Sequence, residues 1–170
     1  MMGYTTSFEG RFELDKPLNP DQVAYVKKFH KTRRMRRNAE TCGQLPDPLR
    51  KAINLPIGEE AGYFVSGEGF CGQDRDENIL DYNQPPKGQP GLWCQWEPTD
   101  DGRFIEWDGS EKFYNYIEWI EYYIEHFFKS WGLKLTGNVF WSGEDPTDIG
   151  IIKIRDNTIF ITNILEQLSD

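Results

Sequence analysis

The sequence predicts an α+β fold: a mainly antiparallel sheet of about five to six strands, two main helices packed on it, and a long irregular insert. Three observations carry this reading. Short alternating apolar segments lie at both ends of the chain, capping signals mark the helix starts, and residues 56–91 hold seven Gly and four Pro. The chain's 170 residues fit a single domain, 1–170, long enough to bury roughly 70% of its unfolded surface.

Residues 5–14 alternate Phe8 and Phe12 with polar neighbours around Gly10, a strand pattern. LNPDQ, residues 18–22, marks a helix start: Asn19 caps, Pro20 suits the first helical position, and Gln22 completes a capping-box pair. Val23, Val26 and Phe29 follow as an apolar face with Tyr25 beside it, which makes the run KKFHKTRRMRRN, residues 27–38, the C-terminal half of this helix. Asp47-Pro48 opens a short helical turn through Ile53. The insert, 56–91, is too dense in breakers for long elements and admits only a short strand at 63–65. Its aromatics Tyr63, Phe64, Phe70 and Tyr82 argue that it packs on the body and is not a linker.

Strands at 92–97 and 103–107 read as a hairpin turning at 99–102. Asp108 and Glu111 form a second capping-box pair, and a helix from 111 to 131 follows, striped by Phe113, Tyr116, Ile120, Ile124, Phe127 and Trp131. Gly132 stops it. Strands at 133–141, 149–155 and 158–162 close the fold, with turns at Asp145-Pro146 and Asp156-Asn157.

Aromatic residues make up 15% of the chain, which argues against disorder. No apolar run approaches a membrane span of roughly 18 residues, so no membrane partner is expected. The N-terminal MMGYTTSFEGRFELD lacks a positive segment followed by an apolar one, so no leader peptide is expected. Cys42, Cys71 and Cys94 are odd in number and widely spaced, and read as reduced thiols of a cytoplasmic protein. The net charge of −9 is unevenly laid out. Seven of the 19 Lys and Arg lie between Lys27 and Arg37, leaving 12 basic residues against 28 acidic ones elsewhere.

The segments MGYTTSFEG, KTRRMRR, ILDYNQPPKGQPGLWCQW, WDGSEKFYNYIEW and WSGEDPTDIG together resemble an uncharacterised family of small bacterial and phage proteins. The resemblance covers most of the chain. It implies an intracellular bacterial or viral setting and brings no catalytic residue with it.

The basic run offers a phosphate site through Lys27, Lys31, Arg33, Arg34, Arg36 and Arg37, since the arginine fork matches phosphate oxygens. The plainer account is that cations complement the helix C-terminus or pair with the protein's own acids. Glu144, Asp145 and Asp148 crowd one turn, as Mg²⁺ or Ca²⁺ ligands do, yet they are also ordinary turn residues. DRDENILD, residues 74–81, fails as a calcium loop: Ile79 stands where Gly is required and Pro85 where Glu belongs. GEGFCG, residues 67–72, lacks the Lys-Ser/Thr ending of a phosphate loop. His30 and His126 have no nucleophile beside them in sequence, and His126 reads as an edge residue of the apolar stripe.

Strand alternation puts Trp93 and Trp96 on opposite sides, one in the core and one at the surface. With no catalytic set in view, the expectation is a non-enzymatic binding protein without a cofactor. Its partner would be another protein, contacted through Phe70, Tyr82 and Trp93 or Trp96. The alternative is a nucleic-acid-associated protein or metal-dependent enzyme that holds phosphate on residues 27–37.

Overall fold

The computed structural model describes residues 3–164. The fold is α+β. Its elements in chain order are β1 (Thr6–Leu14), α1 (Pro20–Lys31), β2 (Arg36–Arg37), α2 (Ala39–Cys42), α3 (Pro48–Ala52), β3 (Ile79–Asp81), β4 (Trp96–Pro98), β5 (Phe104–Trp107), α4 (Tyr116–Tyr123), β6 (Leu135–Gly143), β7 (Ile149–Arg155) and β8 (Thr158–Asn163). The chain divides into two compact units, residues 3–18 with 95–164, and Asn19–Cys94 between them in sequence.

The first unit is built on a six-stranded antiparallel sheet in the order β4-β5-β1-β6-β7-β8. β1 pairs with β6 along its whole length, from Thr6 opposite Gly143 to Leu14 opposite Leu135. Its alternation buries Phe8, Phe12 and Leu14, as the sequence pattern requires. Gly10 has φ +98°, and a β-carbon there would meet the Asn138 carbonyl oxygen at 2.6 Å, so no side chain fits. The core centres on Trp96, which is fully buried. Its indole N–H donates to the Tyr116 carbonyl at 2.8 Å, and its ring meets Phe8, Phe12 and Phe113 edge-on at 5.4, 5.6 and 5.2 Å. Each such aromatic pair contributes about 0.5–1.5 kcal/mol beyond area burial.

Two expected elements of this unit are corrected. The first hairpin strand is shorter than 92–97 and begins at Trp96. The long helix does not begin at 111: Asp108 accepts from the Ser110 backbone instead of capping, and Asn115 sits in the left-handed region before α4 starts at Tyr116. Phe113 is buried ahead of the helix, not on its stripe. After α4, Ile124–Phe128 continue as a π-helical turn, with the Lys129 N–H donating to the Ile124 carbonyl at 2.9 Å.

In the second unit the capping box of α1 forms as expected, Gln22 N–H to Asn19 Oδ1 at 2.8 Å and Asn19 N–H to Gln22 Oε1 at 2.9 Å. The helix ends earlier than the basic run does. Thr32 turns into extended space at φ −99°, ψ 132°, and its hydroxyl donates to the Lys28 carbonyl at 2.6 Å. Residues 33–37 are therefore not the end of a helix, and Arg36 and Arg37 form β2, paired with β3. The short strand expected at 63–65 does not form. Asn38 caps α2, which the sequence pattern did not reveal, by accepting from the Thr41 N–H at 3.0 Å.

Candidate binding surface

Irregular chain leaves backbone carbonyls without ladder partners, and each must find a donor if buried. Arginine supplies five donors from one side chain, and the second unit uses three buried arginines in this way. Arg34, 2% exposed, donates to the Gly62 and Phe64 carbonyls at 2.7 and 3.0 Å and to Gln89 Oε1 at 3.3 Å. Its guanidinium lies 4.1 Å over the Phe29 ring. Arg37 donates to the Gly72 carbonyl at 3.2 Å and pairs with Asp76 at 3.1 Å. Arg50 joins Asp47 at 2.7 Å and the Leu55 carbonyl at 2.8 Å, while the Ser66 hydroxyl donates to the other Asp47 oxygen at 2.9 Å. These side chains hold the segment expected as an insert onto its own unit.

The candidate phosphate set is thereby split. Arg34 and Arg37 are buried, Lys27 and Arg33 are half-buried, and Lys31 and Arg36 are exposed, with Arg36 paired to Glu60. The fork of Arg33 is also engaged, by the Tyr82 carbonyl and Asn83 Oδ1, each at 3.1 Å.

Arg33 meets the rings of two of the four expected contact aromatics, Tyr82 and Trp93, and its backbone holds the turn that carries a third, Phe70. Its guanidinium lies 4.4 Å from the Tyr82 ring centre and 6.0 Å from that of Trp93. A second guanidinium, Arg75, lies 4.5 Å from the same Tyr82 ring, whose hydroxyl donates to Gln73 Oε1 at 2.8 Å. The Arg33 N–H donates to the Cys71 carbonyl at 3.0 Å, which fixes the turn carrying Phe70 against this group. Phe70 is 85% exposed. Its turn is closed by Gly72 N–H to Gly69 carbonyl at 3.1 Å and Asp74 N–H to Glu68 carbonyl at 2.9 Å. Cys71 within it has φ +55°, a conformation that a residue with a β-carbon adopts only when its surroundings impose it. Leu80, on β3, is 57% exposed.

Trp96 is corrected out of the contact set, because it is the buried centre of the other unit; Trp93, 36% exposed, is the surface tryptophan. Sequence reasoning missed Arg33 and Arg75 as aromatic partners. No local pattern marks them, since Arg33 and Tyr82 are 49 residues apart. An open groove of about 560 Å³ also lies in this unit, lined by Leu45, Pro48, Phe64 and Val65 with Lys28 and Asp76 at its polar side. Glu68 lines it too, and the chain runs from there directly to Phe70.

The carboxylates of the 144–148 turn serve separate donors. Glu144 accepts from the Thr5 N–H at 2.6 Å, Asp145 from the Thr147 N–H at 2.8 Å, and Asp148 from Tyr4 and the Trp141 indole at 2.7 and 2.9 Å. Among the described residues no three His, Cys, Asp or Glu side chains converge as a metal site. His30 Nδ1 lies 3.0 Å from the Cys94 carbonyl. His126 is in the other unit, stacked on Tyr122. Burial pushes the Cys42 thiol up, against the pull of nearby Arg37. No helix among the described residues is long and apolar enough to cross a membrane.

No family model, curated protein or solved structure matches the chain.

Proposed function

We propose that the protein is a non-enzymatic cytoplasmic binding module that captures a protein partner on the surface formed by Phe70, Tyr82 and Trp93 around Arg33. The exposure of Phe70 carries this reading. A large aromatic ring, 85% in water, stands on a hydrogen-bonded turn anchored to Arg33, so little ordering entropy remains to be lost on binding. Aromatic anchors of this kind dominate interface energies. Glu68 and Asp74, which close the turn of Phe70, are exposed. The complementary surface is an apolar pocket with a basic rim, and the same carboxylates disfavour nucleic acid.

The test is capture from a nuclease-treated bacterial host lysate by the wild-type chain, Phe70→Ala and Trp93→Ala, with melting measured on each. The expected result is a protein band lost with either variant, a loss of at least about 1 kcal/mol in binding, while melting is unchanged for Phe70→Ala. Capture that depends on nucleic acid, or that falls only as stability falls, would refute the proposal.

A further inference from the structure

The first unit has two sheet edges, and they differ. At one end β4 is three residues long and closes on Pro98, a short edge that cannot extend. At the other, β8 is six residues long. Among the described residues no strand pairs with the open side of its residues 158–162. Its sequence, TIFITN, contains no charge and no proline, the usual guards of an exposed edge. Phe160 is 50% and Ile161 44% exposed. Phe140, 46% exposed, lies on the same outer sheet face as Phe160, through the ladder Asn138–Lys153–Phe160 and its neighbour Phe140–Ile151–Thr162.

The register shows which backbone groups face outward. The Gly143 N–H donates to the Asp148 carbonyl at 2.7 Å, so the even-numbered residues of β7 bond to β6 and the odd-numbered ones to β8. The partners of those odd residues are Thr158, Phe160 and Thr162. Ile159 and Ile161 therefore aim their N–H and C=O groups away from the sheet.

The segment 158–162 is also a palindrome, Thr-Ile-Phe-Ile-Thr. We infer that β8 is a homodimer interface, pairing antiparallel with β8 of a second copy about a two-fold axis at Phe160. That register places Ile159 opposite Ile161 of the other copy. These are the outward-facing residues, so both pairs exchange two hydrogen bonds. Thr158 meets Thr162, and Phe160 meets its own equivalent in a non-hydrogen-bonded pair, where side chains are closest. A two-fold contact requires a surface complementary to itself, and a strand that reads alike in both directions is one. Extension of this sheet stops at two copies, because its other edge is the short, proline-ended β4.

An edge contact of this length covers less than the standard interface of about 1,600 Å², so association is concentration-dependent. It strengthens with salt, because two chains of charge −9 repel each other. Analytical ultracentrifugation of the full chain from about 1 to 500 μM is expected to show the mass rising from one copy to two, at lower concentration in high salt. Ile161→Pro removes an outward N–H and leaves the β7 ladder intact; it is expected to weaken dimerisation at least about tenfold. Ile161→Lys gives the same readout should the proline variant fail to fold. Phe160→Cys brings two thiols together at a Cα separation of about 4.5 Å and is expected to form a two-copy disulfide on oxidation. Ile159→Cys, which faces Ile161 instead of itself, is expected not to. A single-copy mass throughout, a dimer indifferent to both Ile161 variants, or equal cross-linking of the two cysteine variants would overturn the inference.

Discussion

His126 lies flat on Tyr122, ring centres 3.9 Å apart and planes 18° from parallel. Burial holds its pKa below the usual imidazole range, against the opposing pull of Glu125. The unfolded chain thus takes up this proton at higher pH than the folded one does. Stability is full above the unfolded value of about 6.5 and is lost as pH falls through the folded pKa. The melting temperature is expected to fall from pH 7 to pH 5, and His126→Gln to flatten that fall. An unchanged slope in the variant would show that this imidazole takes up its proton alike in both states or is not the group responsible. The carboxylates Glu60, Asp101 and Asp145 are held below their ordinary range, by Arg36, by Thr99 and by the Thr147 backbone respectively, so their losses come at still lower pH.

At the scale of elements, the central β1–β6 pair depends on one residue having no side chain. Gly10→Ala would force a β-carbon onto the Asn138 carbonyl at positive φ, and a loss of about 1–3 kcal/mol is expected in urea unfolding. Wild-type stability in that variant would mean the strand pair yields without cost. β1 and the three C-terminal strands were legible because alternation with period two needs no knowledge of neighbours. The start of α1 was legible because Asn19 and Gln22 complete each other locally. Its end was not: Lys31, Thr32 and Arg33 carry no breaker, and the departure at Thr32 is set by distant carbonyls that collect the arginines that follow. The helix expected from residue 111 failed similarly. Phe113 fits the apolar stripe, but only the left-handed Asn115, an allowed but not obligatory role for Asn, shows that the helix starts later. The exposed aromatics were legible as a set, whereas the assignment of Trp93 to the surface and Trp96 to the core required the fold, because the strand rule placed them on opposite sides without saying which.

Across the whole molecule, an acidic chain carries one concentrated run of basic residues. Arg34 and Arg37 supply donors to a loop-rich unit whose backbone cannot satisfy itself, and Arg33 anchors the aromatic group that the unit presents. Exposed Arg36 makes a surface pair with Glu60, and such pairs contribute little. If the run instead served phosphate, exposed members would matter for function and buried ones would be dispensable for stability. The measurement that separates these is urea unfolding of Arg34→Gln beside Arg36→Gln. A loss of about 1–3 kcal/mol is expected for Arg34→Gln, which strands the Phe64 carbonyl and leaves that of Gly62 to Gln89 alone, and a change within about 0.5 kcal/mol for Arg36→Gln. Two variants of equal, wild-type-like stability would contradict that expectation.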